Sequence, residues 1–145
     1  MQQTFDRFKQ VIPVENILIV TNDLYTDLVK EQLPELKPEQ ILLEPTRRNT
    51  APCIAYVSWK IFAKDPDANL VFSPSDHVVL DVPEFQRVVK MALEESASSS
   101  KIINIGMQPV RPETGYGYIK FNSQKKEGSA FEVERFVEKP DLENA

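Results

Sequence analysis

Four short, mainly apolar runs constrain this chain more than any other feature: NILIV (16–20), ILLE (41–44), NLVFS (69–73) and KIINIGM (101–107). Each is too short for a buried helix and lacks the alternation of a strand with one wet face. Each therefore reads as a strand covered on both sides. The segments between them have a helical period instead. Met1–Val11 reads as the later part of a helix with Phe5 and Phe8 on one face, and 23–33 carries Leu24, Leu28 and Leu33 broadly on one side until Pro34 ends it. Ile54, Val57, Ile61 and Phe62 form the apolar stripe of the next helix. LDVPEFQRVVKMALEES (80–96) follows, with a capping-box-like Asp81 and Glu84, Pro83 in the first turn, and Phe85, Val88, Val89, Ala92 and Leu93 at helical spacing.

Three strand–helix cycles predict a parallel α/β sheet with right-handed crossovers. Beyond position 107 the pattern changes. GYGYIKF (115–121) and FEVERFVEK (131–139) alternate like antiparallel strands, separated by a turn-like NSQKKEGS (122–129). The expected fold is thus α/β, a mostly parallel sheet with a β-rich C-terminal extension, in one domain over residues 1–145.

Composition bounds the partners. At 145 residues, 41% apolar and 27% charged, the chain suits one globular domain. No apolar run approaches the ~20 residues of a membrane span, and MQQTFDRFKQ lacks the apolar region of a secretory signal. Cys53 is the single cysteine, so no internal disulfide can form, and a reducing, cytoplasmic setting is expected. A net charge of −5 argues against general nucleic-acid binding, but it leaves room for a small phosphorylated ligand.

In open parallel sheets, ligands bind beyond the carboxyl ends of the strands. Three clusters sit there. The first is EPTRRNTAP (44–52), where Asn49 or Thr50 can cap a new helix and Pro52 is tolerated in its first turn. The exposed N–H groups and helix dipole would favour an anion or polar heterocycle, with Arg47 or Arg48 adding charge; an ordinary loop with two solvated arginines is the plainer alternative. The second is FSPSDHVV (72–79), where Asp76 could ligate Mg²⁺ or simply form an Asx-type turn. His77 has no companions for a zinc site. The third joins two of the four glycines, Gly115 and Gly117 around Tyr116, to Glu138 and Lys139 in FVEKP (136–140). Adjacent strand residues face opposite ways, so Glu138 and Lys139 can reach one ligand only if the strand bends or ends there.

Taken in order, EPTRRNTAP, PSDH, PETGYGYI and FVEKP resemble the mannose-1-phosphate guanylyltransferase family, the GDP-mannose pyrophosphorylases, over nearly the whole chain. The resemblance implies a Rossmann-like nucleotide-diphospho-sugar transferase fold and a reaction of GTP with mannose-1-phosphate, with Mg²⁺, giving GDP-mannose and pyrophosphate. It implies that Glu44, Arg48, Asn49, Thr50 and Ala51 lie against guanine and ribose, and that Asp76 holds the metal at the α-phosphate. Gly115, Tyr116 and Gly117 would line the mannose, Glu138 would hold sugar hydroxyls, and Lys139 would meet the sugar phosphate. Asp76 and Lys139 are the catalytic candidates.

The family's first strand and Gly-rich triphosphate loop have no counterpart here, and MQQTFDRF resembles the helix that follows that loop. The chain therefore reads as an internal piece of a catalytic domain, not expected to turn over alone, with sheet edges that invite homo-oligomerisation. Two other readings stand beside it: a related nucleotidyltransferase using another base or sugar, and a non-catalytic sugar-nucleotide-binding regulatory subunit.

Overall fold

The computed structural model describes residues 1–46 and 48–144. It divides into two compact units, Met1–Arg87 and Val88–Ala145, the division falling inside a helix. In the first unit, α1 (Gln2–Phe8), β1 (Ile19–Thr21), α2 (Thr26–Gln32), β2 (Ile41–Leu43) and α3 (Thr50–Phe62) follow in order, and α4 (Val82–Ala97) begins. β1 and β2 pair in parallel, Ile19 opposite Ile41 and Thr21 opposite Leu43. A buried amide aligns them: Gln40 Nε2 donates to the carbonyls of Val14 (2.7 Å) and Ile17 (2.8 Å), and its Oε1 accepts from the Lys37 N–H.

Phe5, Phe8, Ile17, Val29, Leu33 and Val57 are the buried apolar residues of this unit. Phe8 meets the Phe85 ring edge-on, with centroids 5.4 Å apart. The expected face of α2 is right only in part. Leu33 is buried, but Leu24 is 81% and Leu28 46% exposed, so one of the three expected positions holds and Val29 takes the inward place. Leu24 lies in a 3₁₀ turn, Asp23–Tyr25, so the α-helical phase begins only at Thr26. In α3, Val57 is buried while Phe62 stays outside, stacked on Trp59. At the start of α4, Asp81 Oδ1 accepts the Glu84 N–H at 3.0 Å, one half of the expected capping box.

Two expected strands are absent. Neither 69–73 nor 101–107 forms a strand, and both run largely at the surface, with Phe72 40% and Ile102 91% exposed. A strand needs a neighbour to take its N–H and C=O groups, and among the described residues neither segment has one. The parallel sheet therefore has two strands, where a larger one was expected.

The second unit holds the rest of α4 and an antiparallel hairpin, β3 (Gly117–Glu127) with β4 (Ala130–Glu138). The expected turn over 122–129 is shorter than its composition suggested. β3 runs on to Glu127, which pairs with Ala130, and the chain reverses at Gly128–Ser129 with Gly128 at φ +60°. Register irregularities between Lys120 and Lys126 absorb the polar stretch, and Lys125–Glu132 (3.0 Å) and Lys120–Glu134 (2.9 Å) pair across the strands. No described helix is long and apolar enough to cross a membrane.

Candidate functional site

The parallel ladder continues one residue past β2, the Glu44 N–H donating to Thr21 O at 2.8 Å, which delivers Glu44 at the carboxyl edge of the pair. Six residues on, at Thr50, α3 begins. Asn49 occupies its N-cap position at φ 63°, ψ −167°, a region that side chains rarely enter, and its side chain makes no capping bond. The expected cap by Asn49 or Thr50 is thus not made: Thr50 is already the first helical residue, and Asn49 holds the N-cap position without a side-chain bond. Among the described residues no side chain caps the first-turn donors at Thr50 and Ala51. Arg48, Asn49, Thr50 and Ala51 are all exposed. Burial, and after it the Glu44 charge, pushes the Cys53 thiol up. Arg47 lies outside the described residues.

Asp76 belongs to the same unit. It was expected at the end of a buried strand; instead it sits at an exposed bend in an irregular segment. It lines an open cleft of about 220 Å³ with the first residues of α1, Gln32 and the Ser75–Val78 stretch, and Glu44–Ala51 are not part of that lining. Asp76 is the one carboxylate among the cleft's lining residues. No cluster of three or more metal-ligating side chains occurs among the described residues. A lone exposed carboxylate suits Mg²⁺ better than a transition metal, because Mg²⁺ takes one or two carboxylates and completes its shell from phosphates and water.

The second unit gathers its own set. Gly117 stands opposite Glu138 in the hairpin, and a Cβ on Gly117 would lie 3.0 Å from Glu138 Oε2, so the glycine makes room for that carboxylate. β4 ends at Glu138. The Lys139 N–H then donates to Tyr116 O at 3.2 Å, and Lys139 takes the left-handed φ of 42°. That turn brings Lys139 Nζ within 3.7 Å of Glu138 Oε1, so the two side chains share one side, as joint ligand contact requires. Tyr116 is 68% exposed beside them. Gly115 is under no such steric demand, since a Cβ there would make only ordinary contact with Glu113.

The backbone carries a further signal. Among the described residues, two non-glycine positions have positive φ, Asn49 and Lys139, and both were picked out from sequence as ligand contacts. Strain of this kind costs about 1–3 kcal/mol per residue and clusters where function needs it.

Comparison with known proteins places the chain in a family. Residues 1–145 match the family model of nucleotidyl transferases. The chain belongs to the nucleotidyl transferase family. Mannose-1-phosphate guanylyltransferase of Escherichia coli K12 is 36% identical over 152 residues, covering 100% of this chain and 31% of the relative. Xanthan biosynthesis protein XanB of Xanthomonas campestris pv. campestris strain B100 is 44% identical over 130 residues (88% and 27%). Alginate biosynthesis protein AlgA of Pseudomonas aeruginosa PAO1 is 41% identical over 128 residues (86% and 26%). This nucleotidyl transferase chain spans less than a third of the length of these curated relatives.

Two residues of the Asp76 neighbourhood escaped the sequence reading. Thr4 and Arg7, both buried on the same face of α1 as Phe5 and Phe8, bond the Ser75 and His77 carbonyls. The signal was present: polar residues three apart, interleaved with the apolar positions of an amphipathic helix.

Proposed function

We propose that this nucleotidyl transferase chain carries the base-, metal- and sugar-contacting parts of an enzyme that transfers GMP from GTP to mannose-1-phosphate. A phosphate oxygen of the sugar attacks the α-phosphorus, the bond from that phosphorus to the bridging oxygen breaks, and pyrophosphate leaves. Glu44 and Arg48–Ala51 receive guanine and ribose, with the free donors at the start of α3 turned to the nucleotide. Gly115, Tyr116, Gly117 and Glu138 cradle the mannose, and Lys139 neutralises its phosphate. Such residues act chiefly by positioning reactants and offsetting charge. Asp76 would hold Mg²⁺, which supplies charge neutralisation at the phosphates when bound.

The observation that carries the reading is the paired backbone strain at Asn49 and Lys139. The name of the E. coli relative motivates the choice of base and sugar. An NMR titration with GDP-mannose, with and without Mg²⁺ and with UDP-glucose as control, tests it. Shifts at Gly115, Gly117, Lys139 and Thr50 specific to GDP-mannose are expected. Equal shifts with UDP-glucose would favour another base or sugar, and none at all in the folded chain would sink the reading. Asn49→Gly sharpens the test: it should stabilise the chain by about 1 kcal/mol through relief of strain, while weakening the response at Thr50.

A further inference from the structure

Arg7 is the most unusual buried group among the described residues. It is 3% exposed, forms no ion pair among the described residues, and its Nε has no hydrogen-bond partner. Burying a guanidinium without a carboxylate is costly, so mere packing is a poor reason for its presence. Its polar contacts point one way. Nη1 and Nη2 both reach His77 O at 3.5 Å, Nη2 donates to Thr4 Oγ1 at 3.3 Å, and the guanidinium lies 4.8 Å from the centre of the Phe85 ring. Thr4 Oγ1, itself buried, donates its proton to Ser75 O at 3.0 Å.

One hydroxyl thus takes a hydrogen bond from Arg7 and gives one to Ser75, while Arg7 holds His77. The carbonyls on either side of Asp76 are gripped from a single helix. The segment they belong to has no strand ladder, and among the described residues no hydrogen bond from another element reaches Ser75–Val78. We propose that Thr4 and Arg7 are positioning residues, a two-point clamp that fixes the backbone on both sides of Asp76 and so aims its carboxylate into the cleft. The inference rests on the reading of Asp76 as the metal-facing carboxylate. Weak individually at these distances, the bonds gain from sharing one buried network, and outer contacts of this kind set how well a ligand atom is placed.

The chain contains a single histidine, His77, whose ring signals report on this bend without overlap. The experiment compares the full chain with Thr4→Val, which keeps shape and removes the hydroxyl, with Thr4→Ser, which restores it, and with Arg7→Lys. The carbonyl-carbon shifts of Ser75 and His77, the His77 ring resonances, and broadening of the Asp76 amide by Mn²⁺ are followed. The Trp59 indole signal serves as the folding control. In Thr4→Val and Arg7→Lys, the Ser75 and His77 carbonyl carbons, which lose their donors, and the His77 ring should shift. The Mn²⁺ concentration for half-broadening should increase about tenfold, and Thr4→Ser should return all three towards the parent.

Unchanged carbonyl and ring signals in folded Thr4→Val and Arg7→Lys would overturn the clamp. A loosened bend with unchanged Mn²⁺ broadening would also overturn it, leaving Thr4 and Arg7 as structural only. If Mn²⁺ fails to broaden Asp76 in the parent chain, the metal reading of Asp76 falls; the carbonyl and ring signals then still decide whether the bend is clamped from α1.

Discussion

The two sheets of this protein are closed by opposite means. β1 and β2 are three residues each, come from distant parts of the sequence, and meet in parallel. β3 and β4 are eleven and nine residues and pair through a two-residue reversal. Parallel strands cannot close locally, so their alignment has to be supplied from outside the ladder. Here Gln40 supplies it, bridging the approach to β2 to the approach to β1. The hairpin brings its own closure, and Glu95 secures the tip by accepting from the Ser129 N–H and hydroxyl. Each sheet leans on one side chain, but the loss should be larger where pairing is not local.

Gln40→Met tests that difference at its largest. The substitution keeps length and removes three hydrogen bonds at a side chain only 4% exposed, leaving the Val14 and Ile17 carbonyls without their donor. A loss of about 2–4 kcal/mol is expected, read as a lower urea midpoint in Trp59 fluorescence. A change below about 0.5 kcal/mol, the scale of an ordinary surface substitution, would show that the parallel pair is aligned by its apolar packing instead.

Gly128→Ala probes the hairpin. At φ +60° an alanine is strained by about 1–2 kcal/mol, and its Cβ would meet Glu95 Oε2, displacing the carboxylate from Ser129. The expected cost is about 2 kcal/mol in all, measured as faster amide exchange near the tip, at Glu127 and Ala130. If exchange rises as far as it does at β1 and β2 in Gln40→Met, the contrast between local and remote closure fails.

What the sequence could show follows the same line. The hairpin and its end were legible because alternation, a late glycine and a strand-ending Glu-Lys-Pro are local signals. Ile41–Leu43 and Ile19–Thr21 were legible as strands, yet 69–73 and 101–107 carry the same apolar signature and form none. An apolar run reports fitness for burial, while a strand also requires a partner that periodicity cannot name. At the candidate site, Glu138, Lys139 and Gly117 were found by residue type, and the structure adds the left-handed turn that puts Glu138 and Lys139 on one side. The strain at Asn49 was invisible, since asparagine at a helix start reads as a cap. Thr4 and Arg7 were passed over because their carbonyl partners lie about seventy residues away.

The smallest expected effect is the dependence of the hairpin on pH. The Ser129 backbone N–H, followed by Lys101, holds the Glu95 carboxyl below its ordinary range. A carboxyl depressed on folding stabilises the folded state fully above its unfolded value, near 4.3, and loses that contribution as the pH falls through the folded value. Glu127, held low by the same Lys101, contributes in the same direction, so the parent chain will destabilise in acid whatever Glu95 does. The difference between parent and Glu95→Gln isolates the residue. The variant should be less stable at neutral pH, and its thermal midpoint should fall less steeply between about pH 5 and pH 3, so that the two curves converge. Parallel curves would mean that Glu95 secures the tip as a shape that glutamine can copy, with its charge playing no part, and that Gly128 alone sets the reversal.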